Sequence, residues 1–368
     1  MKEDFLTKKL EERKQQHTFR QLRLTGGKID FCSNDYLGIV TNSLIEKRLN
    51  NGSGASYHYK SGSTGSRLLA GNYSLIEDAE IQIAAFHKAP AGLLFNSGYD
   101  ANTGLLSCVP QRGDTIIYDY LSHASLRDGI RLSLAQSFAF LHNDPDDLRK
   151  KLQRASGNIF VVTESVFSMD GDKAPLQQLV MMCEQYNAHL IVDEAHATGV
   201  VGAAGEGMVQ LLGLQDHCFA RIHTFGKACG AHGAIILGSE ILKSYLVNFS
   251  RSFIYTTALP EISVAAIRAS YEIFPGLLKE RDQLNKSITQ FQNANYRFQI
   301  LKSETPVQAI IIPGNDEVKK EALQLQNLNL DIRPILYPSV PRGRERLRIV
   351  LHSFNTSEEV EQVIDALR

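Results

Sequence analysis

Cysteine is scarce in this chain and follows no pattern. The five thiols, Cys32, Cys108, Cys183, Cys218 and Cys229, are scattered, and none falls in a CxxC spacing. That argues against a disulfide framework and against a cysteine zinc site, and predicts reduced thiols in the cytosol. No metal is expected. Charge of one sign is lacking too: 39 Lys and Arg oppose 40 Asp and Glu, a formal net charge of −1. Nothing there draws the chain to nucleic acid or to an anionic membrane, although local basic pockets remain open. No apolar run approaches the ~18 residues of a membrane-crossing helix. Residues 1–16 mix acids with bases, unlike a signal peptide or an acid-poor transit peptide. A cytoplasmic protein is the expectation.

What is present is ordinary for a folded protein: 43% hydrophobic residues, with 27 Gly and 11 Pro in 368. That length exceeds one typical core, so a large domain plus a smaller one is expected. Residues 4–24 have helical spacing and run into a Gly26-Gly27 turn; Ile29–Cys32 reads as a short strand. The Gly/Ser-rich stretch Asn51–Gly71 has the composition of a flexible linker. It is broken by Tyr57, His58, Tyr59, Arg67, Leu68 and Leu69, which favours an ordered loop.

From Ser74 to Lys88 the apolar spacing is helical, and then strands and helices alternate. Strands are expected at Ala91–Phe95, Thr115–Tyr118, Ile159–Thr163 and His189–Val192. Helices are expected at Asp100–Cys108, Leu126–Leu134 and Pro175–Tyr186. Such alternation predicts a mainly parallel sheet covered on both faces, with ligands beyond the carboxyl ends of its strands. Beyond Thr257–Pro260 a long helix over Ile262–Phe291 leads to an α+β piece with strands at Val307–Ile312 and Leu347–Leu351 and a last helix from about Ser357. The expected division is 1–45, an N-terminal helix and strand; 46–258, a large α/β domain; and 259–368, a C-terminal α+β domain.

Two segments carry the chemistry. Leu190–His196 reads as a buried strand ending in Asp193, with His196 three residues on; His223–Ala228 sets Lys227 in a small-residue turn after Thr224. An acid, an imidazole, a hydroxyl and a lysine at strand ends suit a pyridoxal 5′-phosphate site. The lysine amine condenses with the aldehyde, the acid pairs with the pyridine nitrogen and keeps it protonated, and the threonine bonds the phosphate. Backbone N–H groups of Gly98 and Tyr99, between a strand and a helix, also attract a phosphate. The plainer alternatives are a solvated lysine, an Asp193 spent in a structural salt bridge, and histidines satisfied in the core.

Eight blocks then stand in order: 33–38 (SNDYLG), 62–72 (GSTGSRLLAGN), 96–102 (NSGYDAN), 122–125 (SHAS), 166–176 (VFSMDGDKAPL), 192–199 (VDEAHATG), 224–228 (TFGKA) and 253–260 (FIYTTALP). With these blocks the chain resembles, over nearly its whole length, the α-oxoamine synthase family. Its members condense an amino acid with an acyl thioester and release carbon dioxide. The resemblance implies a fold-type I, aspartate aminotransferase-like fold: a mainly parallel seven-stranded sheet in a large domain, plus a small α+β C-terminal domain.

It also implies roles. Lys227 would hold the cofactor and move the Cα proton; Asp193 would pair with the ring nitrogen; His123 would stack on the ring. His196 would bond the phenolic oxygen and help position the acyl carbonyl, and Ser168 would contact the ring oxygen region. Thr256 and Thr257 would reach the phosphate of a partner subunit in a homodimer; a β-propensity pair in a strand is the plain alternative. Arg348 would hold the amino-acid carboxylate with a bidentate fork, although alternation puts Arg346 and Arg348 on one strand face that solvent alone could cover. Arg20 would lie near the acyl substrate, with Arg23 as competitor; Asn34 would order the site by bonding near His196. Ser339 stands where threonine is usual, and Ala197 where many relatives have glycine.

The Asp-Gly-Asp-x-Ala-Pro-Leu version at 170–176 looks most like the biotin-pathway branch. It implies L-alanine condensed with pimeloyl-CoA, or with pimeloyl-carrier protein. A glycine and acetyl-CoA member is the nearest alternative.

Overall fold

Strand burial alternates between two cores. Residues 116, 160, 162 and 191 pack into one apolar cluster, and residues 117, 161, 190 and 192 into another, so both sheet faces are covered. In the computed structural model, which describes residues 2–22, 24, 26–51 and 59–368, these residues lie in a seven-stranded sheet. Its strands are β1 (Ala91–Phe95), β2 (Thr115–Asp119), β3 (Gln136–Phe140), β4 (Ile159–Glu164), β5 (Ala188–Asp193), β6 (Ala220–Thr224) and β7 (Ala234–Gly238). Their order is β1-β7-β6-β5-β4-β2-β3, and only β7 runs antiparallel to its neighbours. This is the fold-type I α/β architecture. Sequence periodicity did not register β3, because its exposed edge alternates weakly.

The chain divides into two compact units. The larger holds residues 35–168 and 173–281; the smaller holds 1–34, 169–172 and 282–368. Residues 259–281 therefore continue the larger unit, where a boundary at 258 was expected. The long helix expected over Ile262–Phe291 is two helices, Glu261–Ile273 and Leu278–Gln292, separated by a 3-10 turn at Phe274–Gly276. Pro275 lacks an N–H to continue the ladder. The buried Arg281 guanidinium satisfies the carbonyls of Phe274 at 2.7 Å and Pro275 at 2.8 Å.

In the smaller unit, a four-stranded antiparallel sheet contains Val307–Ile311 paired with Arg346–Val350. Ile29–Asp30 pairs in parallel with Leu330–Asp331. The first helix spans Asp4–Gln15, not 4–24: His17 adopts a φ of 56°, and the Thr18 N–H turns back to the Arg13 carbonyl. Gly171 is fixed in this unit by its carbonyl, which accepts from Ser303 Oγ at 3.0 Å and Thr305 Oγ1 at 2.9 Å. Asp170 pairs with the buried guanidinium of Arg346. The last helix, Ser357–Leu367, starts from a capping box of Thr356 and Glu359.

Candidate active site

Strand ends supply the acids. Asp193 closes β5 and Glu164 closes β4, in register side by side, and both are buried. Two carboxylates so placed repel each other. Burial, and then the Asp193 charge, push Glu164 well above the ordinary carboxylate range, while the His123 N–H, donating to Glu164 Oε1 at 2.6 Å, works the other way. Asp193 has neutral donors: Asn102 Nδ2 at 2.8 Å to Oδ2 and the Ala195 N–H at 2.9 Å to Oδ1. The adjacent acid, Glu194, is structural; its oxygens accept from the N–H groups of Met208 and Val209 and from Ser165 Oγ.

The phosphate-type corner forms where helix α1 (Gly98–Cys108) begins. Ser97 caps it, accepting the Asp100 N–H at 3.1 Å. Thr224, last residue of β6, packs against that terminus so closely that a Cβ on Gly98 would stand 2.5 Å from Thr224 Cγ2. The Thr224 hydroxyl is buried, and among the described residues it has no hydrogen-bond partner. A buried orphan hydroxyl beside a helix N-terminus suits an anion. The Tyr99 side chain points away, its hydroxyl donating to Asp128 at 2.7 Å, so Tyr99 offers this corner its backbone only. Asn96 Nδ2 ties in Thr256 Oγ1 at 2.9 Å and the Thr257 carbonyl at 2.8 Å. Both threonines lie outside any strand, which removes the β-propensity explanation for the pair.

Lys227 occupies the turn after β6, its carbonyl accepting the Gly230 N–H at 2.8 Å. It lies near enough to act electrostatically on both His123 and Glu164. His123 begins helix α2 (Ala124–Leu132). Burial lowers its pKa, the Asp193 charge opposing that and the Lys227 charge adding to it. His196 is buried, and its Nδ1 lies 2.7 Å from the Tyr36 hydroxyl. Ser168 is half-buried in the loop closed by the Val166–Lys173 bridge. The Gly/Ser-rich stretch is held from Tyr59 onward: Ser63 Oγ donates to the Ala258 carbonyl at 2.6 Å, and Arg67 pairs with the buried Glu80 at 2.7 Å.

Within the smaller unit four of the expected residues meet in two pairs. Arg20 Nη2 donates to Ser339 Oγ at 3.4 Å, and Arg348 Nη2 donates to Asn34 Oδ1 at 3.0 Å. Arg23, Tyr57 and His58 lie outside the described residues. Three residues were given no role from sequence: Asn102, Glu164 and Tyr36. The available signals were a lone amide inside the apolar run of α1, an acid at the end of an apolar strand, and a tyrosine inside the 33–38 block.

A family model described as aminotransferase class I and II matches residues 26–367. The chain belongs to that family. Within it, the chain is an α-oxoamine synthase. The 8-amino-7-oxononanoate synthase of Emericella nidulans is 41% identical over 389 residues, covering 99% of this chain and 94% of that protein. That of Lysinibacillus sphaericus is 39% identical over 92% of this chain and 87% of its own length. Among solved structures, serine palmitoyltransferase of Sphingomonas wittichii superposes with a TM-score of 0.84 at 28% identity, covering 92% of this chain and 86% of that one. An 8-amino-7-oxononanoate synthase from Francisella tularensis superposes with a TM-score of 0.76 at 27% identity, covering 92% and 96%. The family's cofactor, pyridoxal 5′-phosphate, fits the residues present: an orphan hydroxyl at a helix start for the phosphate, a buried acid for the ring nitrogen and a lysine beyond.

Proposed function

We propose that this protein condenses L-alanine with a pimeloyl thioester, on coenzyme A or a carrier protein, to give 8-amino-7-oxononanoate, the free thiol and carbon dioxide, a step of biotin synthesis. The observation that carries the chemistry is the Thr224 hydroxyl, buried without a partner among the described residues, three positions before Lys227. The relatives named 8-amino-7-oxononanoate synthase support the choice of substrates.

When bound, the cofactor supplies an electron sink for the carbanion left by removal of the Cα proton. Gly98, Tyr99 and Thr224 would hold its phosphate, Asp193 its ring nitrogen and His123 its ring face. Ser168 contacts the ring oxygen region. Lys227 would hold it, and its amine would be the base that takes the proton from Cα. Arg348, with Asn34 beside it, binds the substrate carboxylate; Arg20 and Ser339 serve the acyl substrate. His196 donates to the thioester carbonyl, its ring held by Tyr36, so that negative charge developing on that oxygen is met in place. The Cα–acyl bond forms as the C–S bond breaks, and the thiolate leaves and takes a proton. The β-keto acid then loses carbon dioxide, and a proton returns to Cα.

A homodimer belongs to this reading, with Thr256 and Thr257 serving the partner subunit's phosphate site. Free thiols at all five cysteines support a cytosolic location. Among the described residues no helix is long and apolar enough to cross a membrane. The experiment is thiol release by the cofactor-loaded protein with L-alanine and pimeloyl-CoA, against glycine and acetyl-CoA. Release with carbon dioxide from the first pair is expected; release from the second pair alone would transfer the function to glycine acylation.

A further inference from the structure

Asn102 lies one turn into α1, four residues after Gly98, and is 2% exposed. Its Nδ2 donates to Asp193 Oδ2 at 2.8 Å and to Ser125 Oγ at 2.9 Å. A side-chain amide has two N–H bonds, and both are used. Its Oδ1 is buried and, among the described residues, accepts nothing. The reverse orientation would press Oδ1 against a carboxylate, which costs more than one unmet carbonyl.

Hydrogen-bond direction then propagates. Ser125 Oγ accepts from Asn102 and lies 2.8 Å from His123 Nδ1; because the Ser125 backbone N–H points at Nδ1 as an acceptor, the hydroxyl proton goes to Nδ1 as well. The Ser125 backbone N–H also donates to Nδ1, at 3.2 Å. An Nδ1 that accepts twice carries no proton, so the imidazole is neutral with its proton on Nε2. At the other end, both Asp193 oxygens are acceptors, one for Asn102 and one for Ala195. Glu164, side by side with Asp193, is pushed well above the ordinary carboxylate range by burial and then by the Asp193 charge.

We propose that Asn102 is a positioning residue: one buried amide holds Asp193 as an oriented carboxylate and, through Ser125, holds His123 in its Nε2–H tautomer. Two ring-binding groups are thereby set by a single side chain. This rests on the assignment of Asp193 and His123 to the cofactor ring.

The test uses cofactor-loaded protein labelled with 15N-histidine. The His123 signals, identified by their loss in His123→Asn, should show a bare Nδ1 and a protonated Nε2 near neutral pH. Asn102→Leu should mix the tautomers and weaken cofactor binding roughly 10- to 100-fold, the range for a hydrogen bond to a charged group. Ser125→Ala cuts only the His123 branch: the tautomer signal should change while cofactor affinity stays within about twofold. Asn102→Asp keeps the shape but sets an oxygen against Asp193, so it should lose at least as much affinity as the leucine variant and stands in for it if that variant fails to fold. A protonated Nδ1 in the wild type, or a substituted Asn102 with wild-type tautomer and affinity, overturns the proposal. Asp193→Asn separates the two levels. If that change leaves cofactor affinity and the visible spectrum intact, the assignment of Asp193 fails. If it destroys them while Asn102→Leu does not, the assignment stands and the role of Asn102 is refuted.

Discussion

The hydroxyl of Tyr36 sits 2.7 Å from His196 Nδ1, joining a residue near the start of the larger unit to one just beyond β5. Tyr36 is fully buried, so this contact is made away from competing water. Tyr36→Phe should keep the packing and lose the bond. We expect kcat to fall roughly tenfold, the effect of about 1.4 kcal/mol, with KM for alanine nearly unchanged. Steady-state kinetics measure both; an unchanged kcat would mean that His196 is oriented by other contacts.

Gly98→Ala tests the anion corner. The added Cβ would displace Thr224 at its 2.5 Å approach, moving the orphan hydroxyl off its aim. Cofactor affinity should drop about tenfold or more, with far-ultraviolet circular dichroism unchanged. A titration of the apo-protein with pyridoxal phosphate reads this directly.

His87 and His223 form a buried pair with ring centroids 3.9 Å apart. Burial, then the charge of Arg221, lowers His87 to about 3; burial, then His87 and Arg221, lowers His223 well below its ordinary value. Both stay neutral in the fold yet take protons when unfolded, once pH falls below the ordinary 6.5. The unfolded state then binds more protons, so stability falls as pH drops below 6.5, by up to about 1.4 kcal/mol per pH unit for each ring. Denaturant unfolding at several pH values checks this. Replacing His223 with Asn should flatten the slope between pH 6 and 4 by about one proton.

Lys227→Ala should abolish turnover and the visible band of the bound cofactor while leaving the fold intact. Wild-type turnover in that variant would refute the assignment of the lysine.

Arg348→Lys probes the substrate carboxylate. Lysine keeps the charge but not the planar fork that also reaches Asn34. KM for alanine should rise roughly tenfold with a smaller change in kcat, because ground-state binding is what is lost.

Most of the larger unit was legible in the sequence because its strands are apolar runs ending in polar chemistry. Asp193 and Thr224 could be placed at strand ends from the residues alone. What stayed hidden needed three-dimensional register. Glu164 gains significance only beside Asp193, through pairing of β4 with β5. Asn102 reads as an ordinary helical residue until its amide is seen facing Asp193 and Ser125. The break at Phe274–Gly276 was visible as Pro-Gly, but continuous helical spacing on both sides masked it. The unit boundary was hidden because Glu261–Ile273 packs with elements far earlier in the chain.

The smaller unit is assembled from three separate stretches, 1–34, 169–172 and 282–368. During synthesis its first strand, Ile29–Asp30, must wait for Leu330–Asp331 to emerge before it can pair. Asp170 likewise waits for Arg346. The larger unit is fully made once residue 281 has left the ribosome, so it can fold first, carrying an unpaired N-terminal segment with it. A truncation before Leu330 should therefore strand both early segments at once, and a C-terminal fragment expressed alone should leave the Arg346 guanidinium without its counter-charge.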